Sequence, residues 1–151
     1  MSNRSAVPGT FTVERIVKAP PAQVFQAFAD PAQKARWFAG PVGWEQHERT
    51  MDFRPGGTER VSGRHASGVV STFDCLYRQI IPGERIIYVY DMALDGKPIS
   101  VSLATIEFHA DGGGTKLVIT EQGMFIDGYQ DNGSREQGTT FLIDKIAALF
   151  A

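Results

Sequence analysis

Arg85-Ile86-Ile87-Tyr88-Val89-Tyr90-Asp91-Met92-Ala93-Leu94 runs into Asp95-Gly96, and Lys97-Pro98 leads out to Ile99-Ser100-Val101-Ser102-Leu103-Ala104-Thr105-Ile106-Glu107-Phe108. The two long stretches are rich in Ile, Val and Tyr, residues that fit a pleated, half-buried surface. Asp-Gly between such runs is a strong short hairpin signal, because a type I′ turn needs φ > 0 at both central positions. Two antiparallel strands, Arg85 to Leu94 and Ile99 to Phe108, are therefore expected. Working outward, Asp111-Gly112-Gly113-Gly114 turns into a strand from Thr115 to Phe125, and Pro82-Gly83 precedes Arg85. Upstream, strands are read at Trp44–Phe53, Thr58–His65 and Val69–Ile81, parted by Pro55-Gly56-Gly57 and Gly68. Turns at roughly a dozen residues apart describe an antiparallel meander.

The flanks differ. Phe11 to Lys18 reads as a strand, with Phe11, Val13 and Arg15 on one face. Ala19-Pro20-Pro21 ends it, and Val24, Phe25 and Phe28 recur at helical spacing, so Pro21 to Ala29 is a short helix. Asp30-Pro31 caps a second, which carries Trp37 and Phe38 and stops at Gly40-Pro41. After the loop Asp131-Asn132-Gly133-Ser134, Phe141, Leu142, Ile146, Leu149 and Phe150 follow helical spacing from Arg135. Residues 1–10 read as a flexible tail and 11–151 as a single domain. Helices segregated from an antiparallel sheet define an α+β fold. A straight terminal helix cannot follow a strongly twisted sheet of about seven strands everywhere, so a gap between them is expected.

Composition narrows the function classes. The 151 residues are 42% hydrophobic and 21% charged, with a net charge of −2. Such a balance lacks the basic field that nucleic-acid binding uses. No apolar run reaches the length of a membrane span, and Met1 to Thr10 has no apolar signal-peptide core, so a cytoplasmic protein without membrane insertion is expected. The lone Cys75 excludes an internal disulfide and a multi-cysteine zinc site. His47, His65 and His109 are far apart in sequence, so no metal is expected. No phosphate loop, dinucleotide fingerprint or nucleophile elbow occurs, and no cofactor is expected. Sixteen glycines accompany ten Phe, four Tyr and two Trp, an excess that suits either a bulky core or an aromatic-lined cavity.

The element order resembles the helix-grip fold of the START/Bet v 1-like superfamily, SRPBCC. Val17-Lys18-Ala19-Pro20, Asp30-Pro31 with Trp37, and Asp52-Phe53-Arg54-Pro55-Gly56-Gly57 resemble the branch of homologues of the activator of heat-shock protein 90 ATPase. Ile81-Pro82-Gly83-Glu84-Arg85-Ile86, Gly114-Thr115-Lys116-Leu117 and Thr120-Glu121-Gln122-Gly123 extend the likeness over Phe11 to Ala151. One position departs: that branch often shows Gly-Trp at the start of its terminal helix, where this chain has Gly138-Thr139. Chaperone activators of the branch carry a further N-terminal domain that these residues do not contain. The resemblance thus implies a small-molecule binder, with Trp37 and Phe38 at the cavity mouth. A bland alternative is that Trp37 only seals the short helices against the sheet.

Candidate site residues follow from strand parity. Tyr88, Tyr90 and Met92 share a face and offer apolar walls with polar tips. Both faces of that strand are apolar near its start, so parity leaves the inner face open. Ser102 and Ala104 are small residues beside Ile106 and Phe108 and leave volume. Glu121 and Phe125 share a face with Leu117 and Ile119, which points Glu121 into the sheet–helix space. There it would serve as ligand anchor or general base; otherwise it is a strand-end carboxylate reaching water or Arg135. Phe53 and Phe73 complete the expected walls, whereas Phe25, Phe28, Phe141 and Phe150 read as helix-packing core. Cys75, mid-strand, reads as a small inert apolar residue. Binding of a small apolar or aromatic molecule is the first expectation, by a monomer or homodimer. A cyclase- or hydrolase-type enzyme using Glu121, with a tyrosine or His65 as partner, is the alternative. A chaperone-interacting regulator comes third.

Overall fold

Strand pairing begins earlier than Phe11. The computed structural model describes residues 4–151. Its first strand, β1 (Ala6–Val17), pairs from Ala6 onward, opposite Ile126. The stretch read as a tail is therefore strand from Ala6 to Thr10, and its residues 1–3 lie outside the described part. Pro8 and Gly9 hid this. Pro8 is tolerated because β1 is an edge strand. Gly9 lies under Phe125, and a Cβ there would stand 2.7 Å from that ring. The glycine marks a close approach, not a turn.

Prolines shape the next corner. Ala19-Pro20-Pro21 leads into α1 (Pro21–Ala29), with a proline in its first turn, where the missing N–H costs nothing. The Thr115 hydroxyl donates to the Ala19 carbonyl at 2.7 Å and ties this corner to the sheet. Asp30 then caps α2 (Pro31–Trp37), its carboxylate accepting from the Gln33 N–H at 3.1 Å. The two helices carry the chain from one edge of the sheet to the other.

There β2 (Glu45–Met51) opens a run of hairpins through β3 (Thr58–Arg64), β4 (Val70–Ile81), β5 (Arg85–Leu94), β6 (Lys97–Asp111) and β7 (Gly114–Ile126). The sheet has seven antiparallel strands in the order β1-β7-β6-β5-β4-β3-β2. This is the expected α+β helix-grip architecture. Asp95 and Gly96 take φ of 49° and 78°, as the hairpin reading requires. The strands expected at Trp44–Phe53 and Thr58–His65 are shorter, and those at Ile99–Phe108 and Thr115–Phe125 longer. No described helix is long and apolar enough to cross a membrane.

The terminal helix, α3 (Ser134–Leu149), buries Thr139, Ile143 and Ile146. Phe141, expected in the core, is instead 40% exposed. Two residues from Ile143, it lies about 200° around the helix from that buried position. Phe150 packs partly against the core, as expected. Phe25 and Phe28 meet Phe108 edge-on, at 5.6 and 5.4 Å between ring centroids. Phe53 joins them, packed between Phe25 and Tyr77 at 5.8 and 5.0 Å.

Candidate functional site

The inner face of β5 carries Ile86, Tyr88 and Tyr90, all buried, followed by Met92. This resolves which face of the strand the helix covers. Register places these residues beside the small residues of β6: Tyr88 opposite Ala104, Tyr90 opposite Ser102, Met92 opposite Ser100. On the other side Phe73 of β4 stands opposite Met92. Small side chains on one strand beside large ones on the next leave room under α3. A pocket of about 370 Å³ lies there.

Trp37, Phe38, Phe73, Tyr88, Tyr90, Met92 and Glu121 all line it. Three other candidates do not. Phe53 belongs to the core below, as described. Phe125 lies beside the pocket, its ring under the Arg135 guanidinium at 5.3 Å and beside Tyr129 at 6.0 Å. Ser102 is buried behind the wall and accepts from Arg135 at 3.4 Å. Trp44, Leu142, Ser71 and Thr139 also line the pocket and were not anticipated. Trp44 arrives from the loop after α2, whose conformation no periodicity encodes.

Glu121 points inward and is 6% exposed. Its two oxygens are both engaged: the Tyr90 hydroxyl donates to Oε1, and Thr139 Oγ1 donates to Oε2 at 3.3 Å. Arg135, the expected partner of a strand-end carboxylate, stands one residue removed. It donates to the Tyr90 hydroxyl at 3.0 Å and to Ser100 Oγ at 2.7 Å. The chain Arg135–Tyr90–Glu121–Thr139 thus spans the pocket wall. Thr139 lines the pocket and supplies a hydroxyl to a buried carboxylate.

Burial pushes the Glu121 carboxyl above its ordinary 4.5, although the Tyr90 hydrogen bond and the Arg135 charge pull it back. Burial and the Glu121 charge likewise raise Tyr90, which stays a neutral phenol. The raised carboxyl has a consequence for stability. The unfolded chain ionises near 4.5, so Glu121's contribution is fully present below that pH and is lost as pH rises through the folded value. Unfolding free energies of the native protein and Glu121→Gln, measured in urea from about pH 4 to about pH 8, test this. The native protein's stability relative to the variant should fall as pH rises. A pH-independent difference would show that the carboxyl is not desolvated.

Beneath the pocket lies a polar cluster that sequence reading missed. Lys34 Nζ meets Glu59 Oε1 at 2.7 Å, with both side chains buried. The Tyr77 hydroxyl donates to the same oxygen at 2.5 Å. The Lys34 ammonium also stands over the rings of Phe38 and Trp37, at 4.6 and 5.6 Å. The available signal was parity: Glu59 shares its strand face with buried Val61. Cys75 is buried on the adjoining strand, and its thiol is pushed up to about 12 by burial. That leaves it protonated and unreactive. Of the histidines, His65 bonds Ser71 Oγ through Nε2 at 2.8 Å and lines the pocket, whereas His109 lies beside Glu107 at 3.3 Å. Among the described residues no three His, Cys, Asp or Glu side chains are grouped as a metal would need.

Solved structures of the same architecture extend over nearly the whole chain. An uncharacterized protein from Rhizobium leguminosarum is 46% identical, covers 97% of each chain and superposes with a TM-score of 0.92. The Mll3558 protein of Rhizobium loti is 40% identical over 95% of this chain and 98% of its own, with a TM-score of 0.87. The CV1439 protein of Chromobacterium violaceum is 27% identical, covers 93% and 96%, and has a TM-score of 0.75. No curated protein matches the chain. Residues 18–151 match the family described as Activator of Hsp90 ATPase homolog 1-like protein, and with the helix-grip fold and these neighbours the chain belongs to that family within the SRPBCC superfamily.

Proposed function

We propose that this protein binds a small apolar or aromatic molecule between its sheet and α3. The observation that carries the reading is the pocket itself: about 370 Å³, walled by Phe73, Tyr88, Tyr90 and Met92, with Glu121 and Arg135 among its polar groups. Small-molecule sites of about 300–1,000 Å³ combine apolar walls with a few placed polar groups in this way. The family fold is generally ligand-binding, which agrees.

The acid–base alternative has less support. A general base must reach the substrate's proton, and both Glu121 oxygens already accept from Tyr90 and Thr139. In this reading the carboxylate orients Tyr90 and shapes the wall.

Thermal denaturation with a panel of neutral and acidic aromatics tests the proposal. A ligand at a hundred times its Kd adds about 2.7 kcal/mol, which raises the melting temperature of a domain this size by roughly 5–10 °C. A melting temperature unmoved across the panel, with no amide shifts at Tyr88, Tyr90 or Met92 by NMR, would overturn the reading.

A further inference from the structure

Two separate polar stations line the pocket. At one, Arg135 donates to Ser100 Oγ at 2.7 Å, to the Tyr90 hydroxyl at 3.0 Å and to Ser102 Oγ at 3.4 Å. The partners of its guanidinium are hydroxyls and none is a carboxylate, although Asp131 Oδ1 accepts from its backbone N–H at 2.9 Å and the Glu121 carboxyl lies one hydrogen bond away, behind Tyr90. At the other, His65 Nε2 and Ser71 Oγ are bonded at 2.8 Å, both half-buried and both lining the pocket.

Sheet register gives the distance between the stations. Ser100, Met92 and Phe73 stand in one row across β6, β5 and β4. Ser71 is two residues further along β4, on the same face as Phe73. With strands about 4.8 Å apart and a rise of about 3.3 Å per residue, Ser71 and Ser100 are roughly 12 Å apart in backbone position. Phe73 and Met92 lie between them on the sheet, and Leu142 and Phe38 also line the pocket, Phe38 packed edge-on against Phe73 at 4.9 Å.

The two stations ask for different groups. A guanidinium has only donors, and it meets planar carboxylates with paired N–H bonds. Glu121 is already held internally, each of its oxygens accepting one hydrogen bond. The Arg135 end therefore takes an acceptor, best a carboxylate. The His65–Ser71 pair keeps one donor and further acceptor capacity after its own bond, so it suits a hydroxyl, which needs both. A flat apolar body matches Phe73 and Met92 between the stations.

We infer that the ligand of this pocket is an elongated aromatic acid whose far end carries a hydroxyl, the carboxylate meeting Arg135 and the hydroxyl meeting His65 and Ser71. This rests on the proposed binding function and specifies the class of molecule that function takes.

Four probes of one shape test it by calorimetry: biphenyl, 4-hydroxybiphenyl, biphenyl-4-carboxylate and 4′-hydroxybiphenyl-4-carboxylate. The bifunctional probe should bind tightest, each polar group adding about tenfold or more in affinity. Ser71→Ala should abolish the gain from the hydroxyl and leave the gain from the carboxylate. Arg135→Met should do the reverse. Should Arg135→Met unfold the protein, Arg135→Lys serves, since it keeps the charge and loses the paired donors. If biphenyl binds and neither polar group adds affinity, or if the variants leave the gains unchanged, the inference fails while the binding function stands. If none of the four binds, the pocket reading fails and this inference with it.

Discussion

Lys34→Met is expected to lower the unfolding free energy by about 3–5 kcal/mol. The methionine fills nearly the same volume, so little of this is lost packing. The loss comes from Glu59, which is 1% exposed and would keep a buried carboxylate with only the Tyr77 hydroxyl as partner. One Glu59 oxygen, Oε2, already has no hydrogen-bond partner, so the carboxylate has no spare bonds to absorb the change. Removing both charges is a different matter, because a buried ion pair often gains little net stability over its neutral replacement. Lys34→Met combined with Glu59→Gln keeps an acceptor for Tyr77 and should recover part of the loss, giving a coupling of about 1–3 kcal/mol. Urea unfolding of the two single variants and the double variant measures this. A loss under about 1 kcal/mol in Lys34→Met, in the range of exposed pairs, would mean that water reaches the cluster.

The same cluster shows where sequence reading stops. Lys34 and Glu59 are 25 positions apart and each resembles an ordinary surface charge; only the crossing of α2 over β3 brings them together. Features set by local chemistry were readable. Asp95-Gly96 fixes a hairpin because its tight turn places both residues at positive φ, which Asp and Gly adopt most readily, and Pro21 and Asp30 fix two helix starts through the first-turn N–H groups. Glu121 was readable in direction, since period two ties it to Leu117 and Ile119. Its partners were not: Tyr90 lies two strands away, and Thr139 comes from a helix whose rotation Phe141-Leu142-Ile143 leaves ambiguous, three apolar residues in a row covering more than half the circumference. Ala6 to Thr10 misled for a related reason. Pro8 and Gly9 break most strands, and they are tolerated here by an open edge and by the ring of Phe125. Ser71 and His65 are close in sequence, yet they pair as they do because the β3–β4 turn folds them onto each other.

Trp37→Ala should cost about 3–5 kcal/mol, which decides between the two roles open to this residue. A mouth gate must move, and its ring would be held by few contacts. Trp37 is instead 4% exposed. Its Nε1 donates to the Ala27 carbonyl at 2.8 Å, and its ring meets Phe28 and Phe38 at 4.8 and 5.6 Å. Swinging it out would break that bond, uncover Phe28 and remove one wall of the Lys34 enclosure. Trp37 therefore seals α1 and α2 to each other while also bordering the pocket. Phe38 is the better placed of the two to move. It is half-buried, stacks edge-on against Phe73 at 4.9 Å and has no polar anchor on its side chain. Unfolding followed by circular dichroism separates these roles, since it does not depend on tryptophan emission. Trp37→Phe, which keeps most of the packing and loses the indole donor, should cost about 1–2 kcal/mol, well short of the alanine variant. Phe38→Ala should cost less than Trp37→Ala and act more on ligand affinity than on stability. A loss below about 1 kcal/mol for Trp37→Ala would return Trp37 to the role of gate.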